Sequence, residues 1–193
     1  MRRLGLLAVL ASSASFAGSD GWISMFDGKT LDGWKSDGVH PESWTVRDGA
    51  IVGEGPKSLL FWAGGEYEDV EIKFETKIND GGNSGLFFRK GFGPRGAKGY
   101  EAQINSTHVD PKKTGSLYNF QNVYEQLTPP DTWFTMHVIA QGNHLVIRVN
   151  DKTVADYVDE KNTFQKGWIA LQQHHQGSVV MFRNMMLRPL PAP

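Results

Sequence analysis

A short segment of this 193-residue chain concentrates polar side chains that could bind a hydroxyl-rich ligand. In the run Tyr100–Asn105, the polar residues Glu101, Gln103 and Asn105 alternate with apolar ones. Successive strand residues point to opposite faces, so these three would share one face. Upstream, the same alternation predicts that Arg89 projects from the face of Phe87. A carboxylate flanked by amides, with a guanidinium nearby, is a set that suits hydroxyl groups.

Two aromatic residues extend this set toward sugar binding. Tyr118 and Trp133 follow the polar strand in sequence and could stack on a sugar ring. Binding sites of this kind combine apolar walls with a few placed polar groups. The alternative is a polar ladder on a solvated sheet face, and spacing alone leaves both interpretations open.

Most glycoside hydrolases use a pair of carboxyl groups as catalytic residues, and this sequence offers only one candidate pair. Glu71 and Glu75 share a strand face, but Lys73 stands between them and the opposite face is apolar. That pattern favours the solvated side of a strand. Ordinary two-carboxylate hydrolysis is therefore disfavoured, and the chain also contains no G-x-S-x-G serine motif.

The six histidines show no H-x-H or H-E-x-x-H spacing. His174 and His175 are sequence neighbours, which on a strand would point to opposite faces. The sequence thus predicts that one of them can face a site and that the pair does not clamp a metal. No cofactor is evident, and a divalent metal acting as a Lewis acid stays an alternative without a visible ligand set.

The elements that must position these residues are predicted to be β-strands. Strict alternation over Val70–Ile78 predicts a half-buried antiparallel strand. Asn150-Asp151 predicts a tight hairpin, and only Asp156–Phe164 could hold one helical turn. Similar short runs occur at Ser43–Arg47, Ala50–Gly53, Leu86–Arg89, Tyr100–Ile104, Trp133–Ala140, His144–Val149, Trp168–Gln172 and Ser178–Arg188. This many short strands predict an all-β, two-sheet antiparallel sandwich of jelly-roll type.

Composition excludes several classes of protein. The chain has 20 basic and 21 acidic residues, a net charge of −1, and no run of Lys or Arg, so it is not expected to bind nucleic acid. It has no cysteine, which excludes disulfides, thiolate metal sites and cysteine nucleophiles.

The first 17 residues have the layout of a secretory signal peptide. Arg2 and Arg3 precede the apolar run Leu4–Ala11, and Ser15-Phe16-Ala17 forms a small-x-small cleavage site. Residues 18–193 are then expected to form a single exported domain, periplasmic or secreted. No later apolar stretch approaches transmembrane length, so no membrane association is expected after cleavage.

Several sequence motifs occur in a fixed order along residues 21–190. They are GWISMFDGKTLDGW (21–34), WTVRDGAIVG (44–53), GGNSGLFFR (81–89), GYEAQI (99–104), TGSLY (114–118) and GWIALQQHH with VVMFRNMMLRPL (167–190). Together they resemble the 3-keto-disaccharide hydrolase family, also described as 3-keto-glucoside 1,2-lyase/3-keto-2-hydroxy-glucal hydratase. The resemblance implies a concanavalin A-like lectin/glucanase jelly roll.

The resemblance implies a reaction that needs one base rather than two carboxylates. A ketone at carbon 3 acidifies the hydrogen on carbon 2, and its removal gives an enolate that expels the glycosidic oxygen; water then adds. On this basis Glu101 or His174 is the expected base, and Arg89 the expected partner of the enolate or ketone oxygen. The residues expected to hold sugar hydroxyls or stack on the ring are Asn83, Gln103, Tyr118 and Trp133, with Tyr118 also a donor to the leaving oxygen.

Two other functions stay open at this point. One is a non-catalytic carbohydrate-binding module, and the other is a sandwich that binds a partner protein. The enzyme interpretation implies a small 3-keto-glycoside as substrate, and a sugar 3-oxidoreductase that supplies it.

Overall fold

The structure, a computed structural model, describes residues 20–93 and 98–193. The predicted signal peptide, residues 1–17, lies outside the described residues. The strands are β1 (Ile23–Ser24), β2 (Trp34–Ser36), β3 (Trp44–Arg47), β4 (Ala50–Glu54), β5 (Ser58–Trp62), β6 (Val70–Ile78), β7 (Ser84–Lys90), β8 (Tyr100–Ile104), β9 (Phe134–Gln141), β10 (His144–Val149), β11 (Lys152–Val158), β12 (Trp168–Gln173) and β13 (Val179–Pro189). A short 3-10 helix covers Pro41–Ser43.

These strands form two antiparallel sheets. The eight-stranded sheet has the order β11-β10-β9-β6-β13-β4-β3, and β1 also pairs with β13. The five-stranded sheet has the order β2-β5-β12-β7-β8. Strands distant in sequence are therefore neighbours in space, as in a jelly roll. The predicted two-sheet antiparallel sandwich is confirmed.

The core lies between the inner faces of the two sheets. In β6 the even-numbered residues Val70, Ile72, Phe74 and Ile78 are almost fully buried, as the alternation predicts. The smaller sheet supplies inward residues at every second position of β7 and of the edge strand β8, namely Leu86, Phe88, Tyr100, Ala102 and Ile104. The residues between them consequently face away from the core.

The sequence prediction missed strands that lack alternation. β5 is buried at every position, because Leu60 belongs to the main core while Leu59 and Phe61 pack in a second cluster on the outer face. A strand covered on both faces has no two-residue pattern to detect. The short strands β1 and β2 were missed as well.

Two predictions on local structure have opposite outcomes. The hairpin at Asn150-Asp151 is confirmed, since both residues have positive φ (47° and 64°) between β10 and β11. The prediction of a helical turn within Asp156–Phe164 is wrong, because β11 continues to Val158 and turn residues follow.

Among residues 20–93 and 98–193, no helix has the length and apolar content of a membrane span.

Candidate functional site

Neighbouring strands place a row of side chains across the outer face of the five-stranded sheet. Directly opposed residues of antiparallel strands share a face. Phe61 opposes Ala170, Ala170 opposes Phe87, and Phe87 opposes Glu101. Lys35 of β2 opposes Phe61 at the far end, so the row runs from a lysine across three apolar residues to Glu101, its single carboxylate. The prediction that Glu101 faces away from the core is confirmed.

A glycine makes room for the Glu101 carboxyl group. Gly85 lies on β7 opposite Gln103 and next to Glu101. A Cβ atom at Gly85 would overlap Oε1 of Glu101. A glycine inside a strand often marks such a close approach. The Glu101 side chain therefore lies over Gly85, against the sheet.

Burial in this position changes the acidity of Glu101. Desolvation raises the pKa of its carboxyl group to about 8, while the positive charges of Lys90 and Lys57 oppose that rise and Asp110 adds to it. A buried carboxylate loses hydration that the neutral acid does not need. A group with this pKa can take up or release a proton near neutral pH, which is the property of a general base or acid.

Tyr118 is brought to Glu101 by a segment that runs beside β8. The backbone N–H of Tyr118 donates to the carbonyl oxygen of Glu101 at 2.9 Å, and Leu117 forms a bridge with Ala102. The Tyr118 hydroxyl donates to Oδ2 of Asp110 at 2.8 Å. This bond, together with burial, raises the pKa of Tyr118 to about 12. Tyr118 is therefore a weaker acid than an ordinary tyrosine, which disfavours it as the donor to a leaving oxygen.

Asp110 differs from Glu101 in its charge state. Burial acts to raise the pKa of Asp110, but hydrogen bonds from the Lys112 backbone N–H and the Tyr118 hydroxyl lower it overall. Asp110 thus stays ionised, whereas its neighbour Glu101 titrates near neutrality. Environments that separate two carboxyl pKa values in this way are typical of acid–base sites.

A small cavity beside Glu101 is rich in amide groups. It has a volume of about 110 Å³ and is lined by Asn83, Glu101, Gln103, Asp110, Tyr118, Gln172 and His174. The side-chain oxygens of Asn83, Gln103 and Gln172 are buried without a hydrogen-bond partner among the described residues. Buried polar atoms are nearly always paired in folded proteins. These three oxygens are therefore available to hydroxyl donors of a ligand.

A larger cavity also borders Glu101. Its volume is about 440 Å³, and it shares Glu101 and Tyr118 with the small cavity. Aromatic residues form part of its wall, and Lys90 supplies a positive charge. The aromatic lining residues are Phe87, Phe120, Phe164 and Tyr118. This combination of apolar walls and few polar groups suits a sugar-sized molecule.

The prediction that Arg89 lies on the face of Phe87 is wrong. Trp168 opposes Lys90 while Ala170 opposes Phe87, so β7 carries one extra residue between these pairs. Arg89 has a positive φ of 50° at this bulge. A bulge re-aims the side chains beyond it. Lys90 consequently takes the outward position, with its ammonium 5.0 Å from the centre of the Phe87 ring.

Arg89 instead serves as a buried anchor. Its side chain is 1% exposed and donates to backbone carbonyl oxygens on three separate segments. The acceptors are Glu68 at 2.7 Å, Phe164 at 3.0 Å and Gly142 at 2.7 Å. These bonds tie together the loops around the sandwich and leave the guanidinium outside both cavities.

Trp133 is also not at this site. It packs against Ala50, Val52 and Met181 of the eight-stranded sheet. The Arg183 guanidinium covers its ring at 3.9 Å from the centre. The prediction that Trp133 stacks on a sugar near Glu101 is therefore wrong, because the ring belongs to the other sheet.

His174 does line the small cavity, and its neighbour joins it. Strand β12 ends at Gln173, so His174 and His175 lie in the turn that follows and do not alternate. Their Nδ1 atoms are 3.0 Å apart. Together with His108 they form a group whose ring nitrogens lie within 4.8 Å of one another, which could hold a metal ion. The expectation that the two side chains point to opposite faces of a strand is therefore wrong, because both residues lie beyond the end of β12.

Four residues of the site escaped the sequence analysis: Lys90, His108, Asp110 and Gln172. His108 and Asp110 belong to the polar loop His108–Thr114, whose composition suggests a binding loop without specifying its partner. Lys90 was hidden by the bulge in β7. Gln172 lies on β12, far from Glu101 in sequence. It reaches the cavity because β12 pairs with β7, which in turn pairs with β8.

The two-sheet sandwich is a jelly roll with the concanavalin A-like lectin/glucanase fold. The chain belongs to the family of 3-keto-alpha-glucoside-1,2-lyase-like domains, whose family model matches residues 21–188. It is 28% identical over 187 residues to a 3-keto-disaccharide hydrolase of Bacteroides thetaiotaomicron, a match that covers 80% of this chain. The chain spans 63% of the length of that relative.

Two solved structures show the same fold at low sequence identity. A protein of Parabacteroides distasonis named as a suspected glycosyl hydrolase is 23% identical, with a TM-score of 0.77 over 90% of this chain and 95% of its own. The carbohydrate-binding module CBM66 of Bacillus subtilis is 18% identical, with a TM-score of 0.61 over 81% of this chain and 95% of its own.

Proposed function

We propose that this chain cleaves 3-keto-glycosides by proton abstraction at carbon 2, with Glu101 as the base. The observation that carries the proposal is the Glu101 carboxyl group, whose pKa is raised to about 8 between two cavities. Membership of the 3-keto-alpha-glucoside-1,2-lyase-like family and the name of the Bacteroides relative support the substrate class.

The reaction uses the same carboxyl group twice. Glu101 removes the carbon 2 hydrogen as a proton, and the electron pair of the C–H bond forms the enolate with the carbon 3 ketone. The enolate then re-forms the ketone, its carbon 2–carbon 3 electron pair becomes a double bond between carbons 1 and 2, and the bond from carbon 1 to the glycosidic oxygen breaks with its electrons on that oxygen. The raised pKa keeps Glu101 protonated at this stage, so it can pass that proton to the leaving oxygen. Addition of water across carbons 1 and 2 completes a net hydrolysis.

The remaining site residues bind and stabilise. Lys90 brings a positive charge to the cavity wall and takes the role expected of Arg89 toward developing enolate charge. The unpaired amide oxygens of Gln103 and Gln172 accept bonds from sugar hydroxyls, and the Asn83 amide is a further polar group on the cavity wall. The hydroxyl of Tyr118 donates to Asp110, and this bond fixes the orientation of the Tyr118 ring, which lines both cavities.

The test compares a 3-keto-glucoside with its unoxidised parent in heavy water. Exchange of the carbon 2 hydrogen for deuterium, followed by NMR, reports proton abstraction directly. We expect exchange or cleavage of the keto sugar only, because the parent has no acidified hydrogen at carbon 2. Cleavage of the parent at a similar rate would contradict the proposal and favour a two-carboxylate reaction by Glu101 and Asp110.

A second function, sugar binding without catalysis, is favoured by one observation. The amide oxygens and aromatic wall around Glu101 are the groups that hold a carbohydrate even where no bond is broken. Calorimetric titration with unoxidised glycans distinguishes the two functions. Binding of these glycans without turnover of any keto sugar would establish the binding module.

Export and supply of the substrate complete the proposal. Residues 1–17 direct the chain out of the cytoplasm, and N-terminal sequencing of the mature protein from cell fractions tests this. A ketone at carbon 3 requires an oxidation of the glycoside beforehand, so an oxidoreductase acting on sugar carbon 3 must precede this step. Deletion of that activity in the host should abolish substrate for the chain.

A further inference from the structure

We propose that His108, His174 and His175 bind a divalent transition-metal ion at the edge of the Glu101 cavity. The three side chains come from the loop after β8 and from the turn after β12. Each offers one ring nitrogen, and these nitrogens lie within 4.8 Å of one another. The ring centres are 5.2–5.7 Å apart.

The distances are close to those of a formed site. A tetrahedral ion with metal–nitrogen bonds of about 2.0–2.1 Å spaces its ligands about 3.3–3.4 Å apart. The Nδ1 atoms of His174 and His175 are already 3.0 Å apart. The nitrogen of His108 must approach by no more than about 1.5 Å, which ring rotation supplies.

Contacts at the ring nitrogens orient two of the three imidazoles before an ion binds. The hydroxyl of Ser178 lies 3.0 Å from Nδ1 of His175 and would have to turn aside when that nitrogen binds the ion. Nδ1 of His108 accepts from the Asp110 backbone N–H at 3.1 Å and lies 3.2 Å from Nδ2 of Asn83, so Nε2 is the nitrogen left for the ion. A partner on the nitrogen that does not bind the metal fixes the orientation of a metal-bound imidazole.

Asn83 provides the observation that points to a ligand. It is 3% exposed, and its Oδ1 is buried without a partner among the described residues. An ion on Nε2 of His108 requires the proton on Nδ1. If the Asn83 amide turns so that Oδ1 and Nδ2 exchange places, Oδ1 can accept the proton on Nδ1 of His108. The protonated Nδ1 then no longer accepts from the Asp110 backbone N–H.

The ligand set selects the kind of ion. Neutral imidazoles suit Zn²⁺, Co²⁺, Ni²⁺ and Cu²⁺, whereas Ca²⁺ and Mg²⁺ prefer oxygen ligands. Three protein ligands leave a coordination position open, as in catalytic rather than structural sites. His174 lines the cavity that holds Glu101, so that position borders the substrate space. A role in polarising the carbon 3 ketone rests on the proposed function, but the binding of the ion does not.

The experiment titrates Co²⁺ into the mature protein, prepared without a histidine tag and stripped with chelator. Calorimetry gives the stoichiometry, and the visible absorption of bound Co²⁺ reports its coordination. We expect one ion per chain, bound more than about 100-fold more weakly by His174→Gln and His175→Gln, and about tenfold more weakly by Asn83→Ala. The matched controls are His40→Gln and His144→Gln, since both histidines are exposed on other parts of the molecule.

The outcomes separate the two proposals. Failure of the wild type to bind Co²⁺ at about 1 mM, or equal binding by folded His174→Gln and His175→Gln, overturns the metal site. Circular dichroism establishes folding, and Asn83→Ala tests the site if the histidine variants unfold. Ion binding without keto-sugar turnover keeps the metal site and rejects the enzyme function. Full turnover of the keto sugar by a metal-free protein that binds no Co²⁺ keeps the enzyme function and rejects the metal site.

Discussion

Replacement of Glu101 by glutamine removes the proposed base and little else. The side chains have nearly the same shape, so the amide can lie over Gly85 as the carboxyl group does. Because the carboxyl group carries an unfavourable burial that raises its pKa, loss of its charge should not destabilise the fold. A positioned general base contributes about 10²–10⁴-fold to rate. We expect kcat/KM for a 3-keto-glucoside to fall by that factor.

The pKa of Glu101 also fixes the direction of the pH dependence. With a pKa of about 8, roughly one tenth of the free protein has an ionised Glu101 at pH 7, and about nine tenths at pH 9. A base works in its ionised form, so kcat/KM should rise about tenfold over this interval and level off above it. An essential acid with the same pKa would show the opposite trend.

The assay measures initial rates of keto-sugar cleavage from pH 5 to 10, with carbon 2 exchange in heavy water as the second readout. Glu125→Gln is the matched control, because Glu125 is exposed and lies outside both cavities. The reasoning would be refuted by a Glu101→Gln variant that keeps full exchange activity. A rate that falls between pH 7 and pH 9 would equally contradict Glu101 as the base.

Three further substitutions test the geometry. Gly85→Ala pushes the Glu101 carboxyl group out of place and should lower kcat/KM about 100-fold in a folded protein, so an unchanged rate would contradict the packing. Arg89→Met leaves three carbonyl oxygens and Asp69 without their cation and should cost about 3–5 kcal/mol in urea unfolding. Normal stability with lost turnover would instead make Arg89 a participant in the chemistry. Trp133→Leu should leave keto-sugar turnover unchanged, because its ring lies on the other sheet; a large loss in a folded variant would contradict that placement.

The exchange of roles between Arg89 and Lys90 shows how one residue in a strand changes a site. Alternation along β7 predicts an outward arginine, but the bulge inserts a residue and turns Arg89 inward. Burial of a guanidinium requires several acceptors, and three backbone carbonyls provide them. Lys90 then supplies the positive charge on the cavity wall.

The prediction of strands succeeded where apolar and polar residues alternate along the sequence. The bounds of β6, β8 and β10 are those of the alternating runs Val70–Ile78, Tyr100–Ile104 and His144–Val149. It failed for β5, whose apolar residues face both the core and an outer cluster. Periodicity records a difference between two faces, so it cannot report a strand that has none.

The sequence by itself determined the two-sheet fold, the outward face of β8 and therefore the position of Glu101, because these depend on local alternation. Only the tertiary structure decided which residues surround that carboxyl group. Gln172 and His174 reach it from β12 and the turn after it, far along the chain, and Asp110 from the loop after β8. Trp133 lies on the other sheet. The raised pKa of Glu101 likewise results from burial of its carboxyl group in the folded protein, which no local sequence pattern encodes.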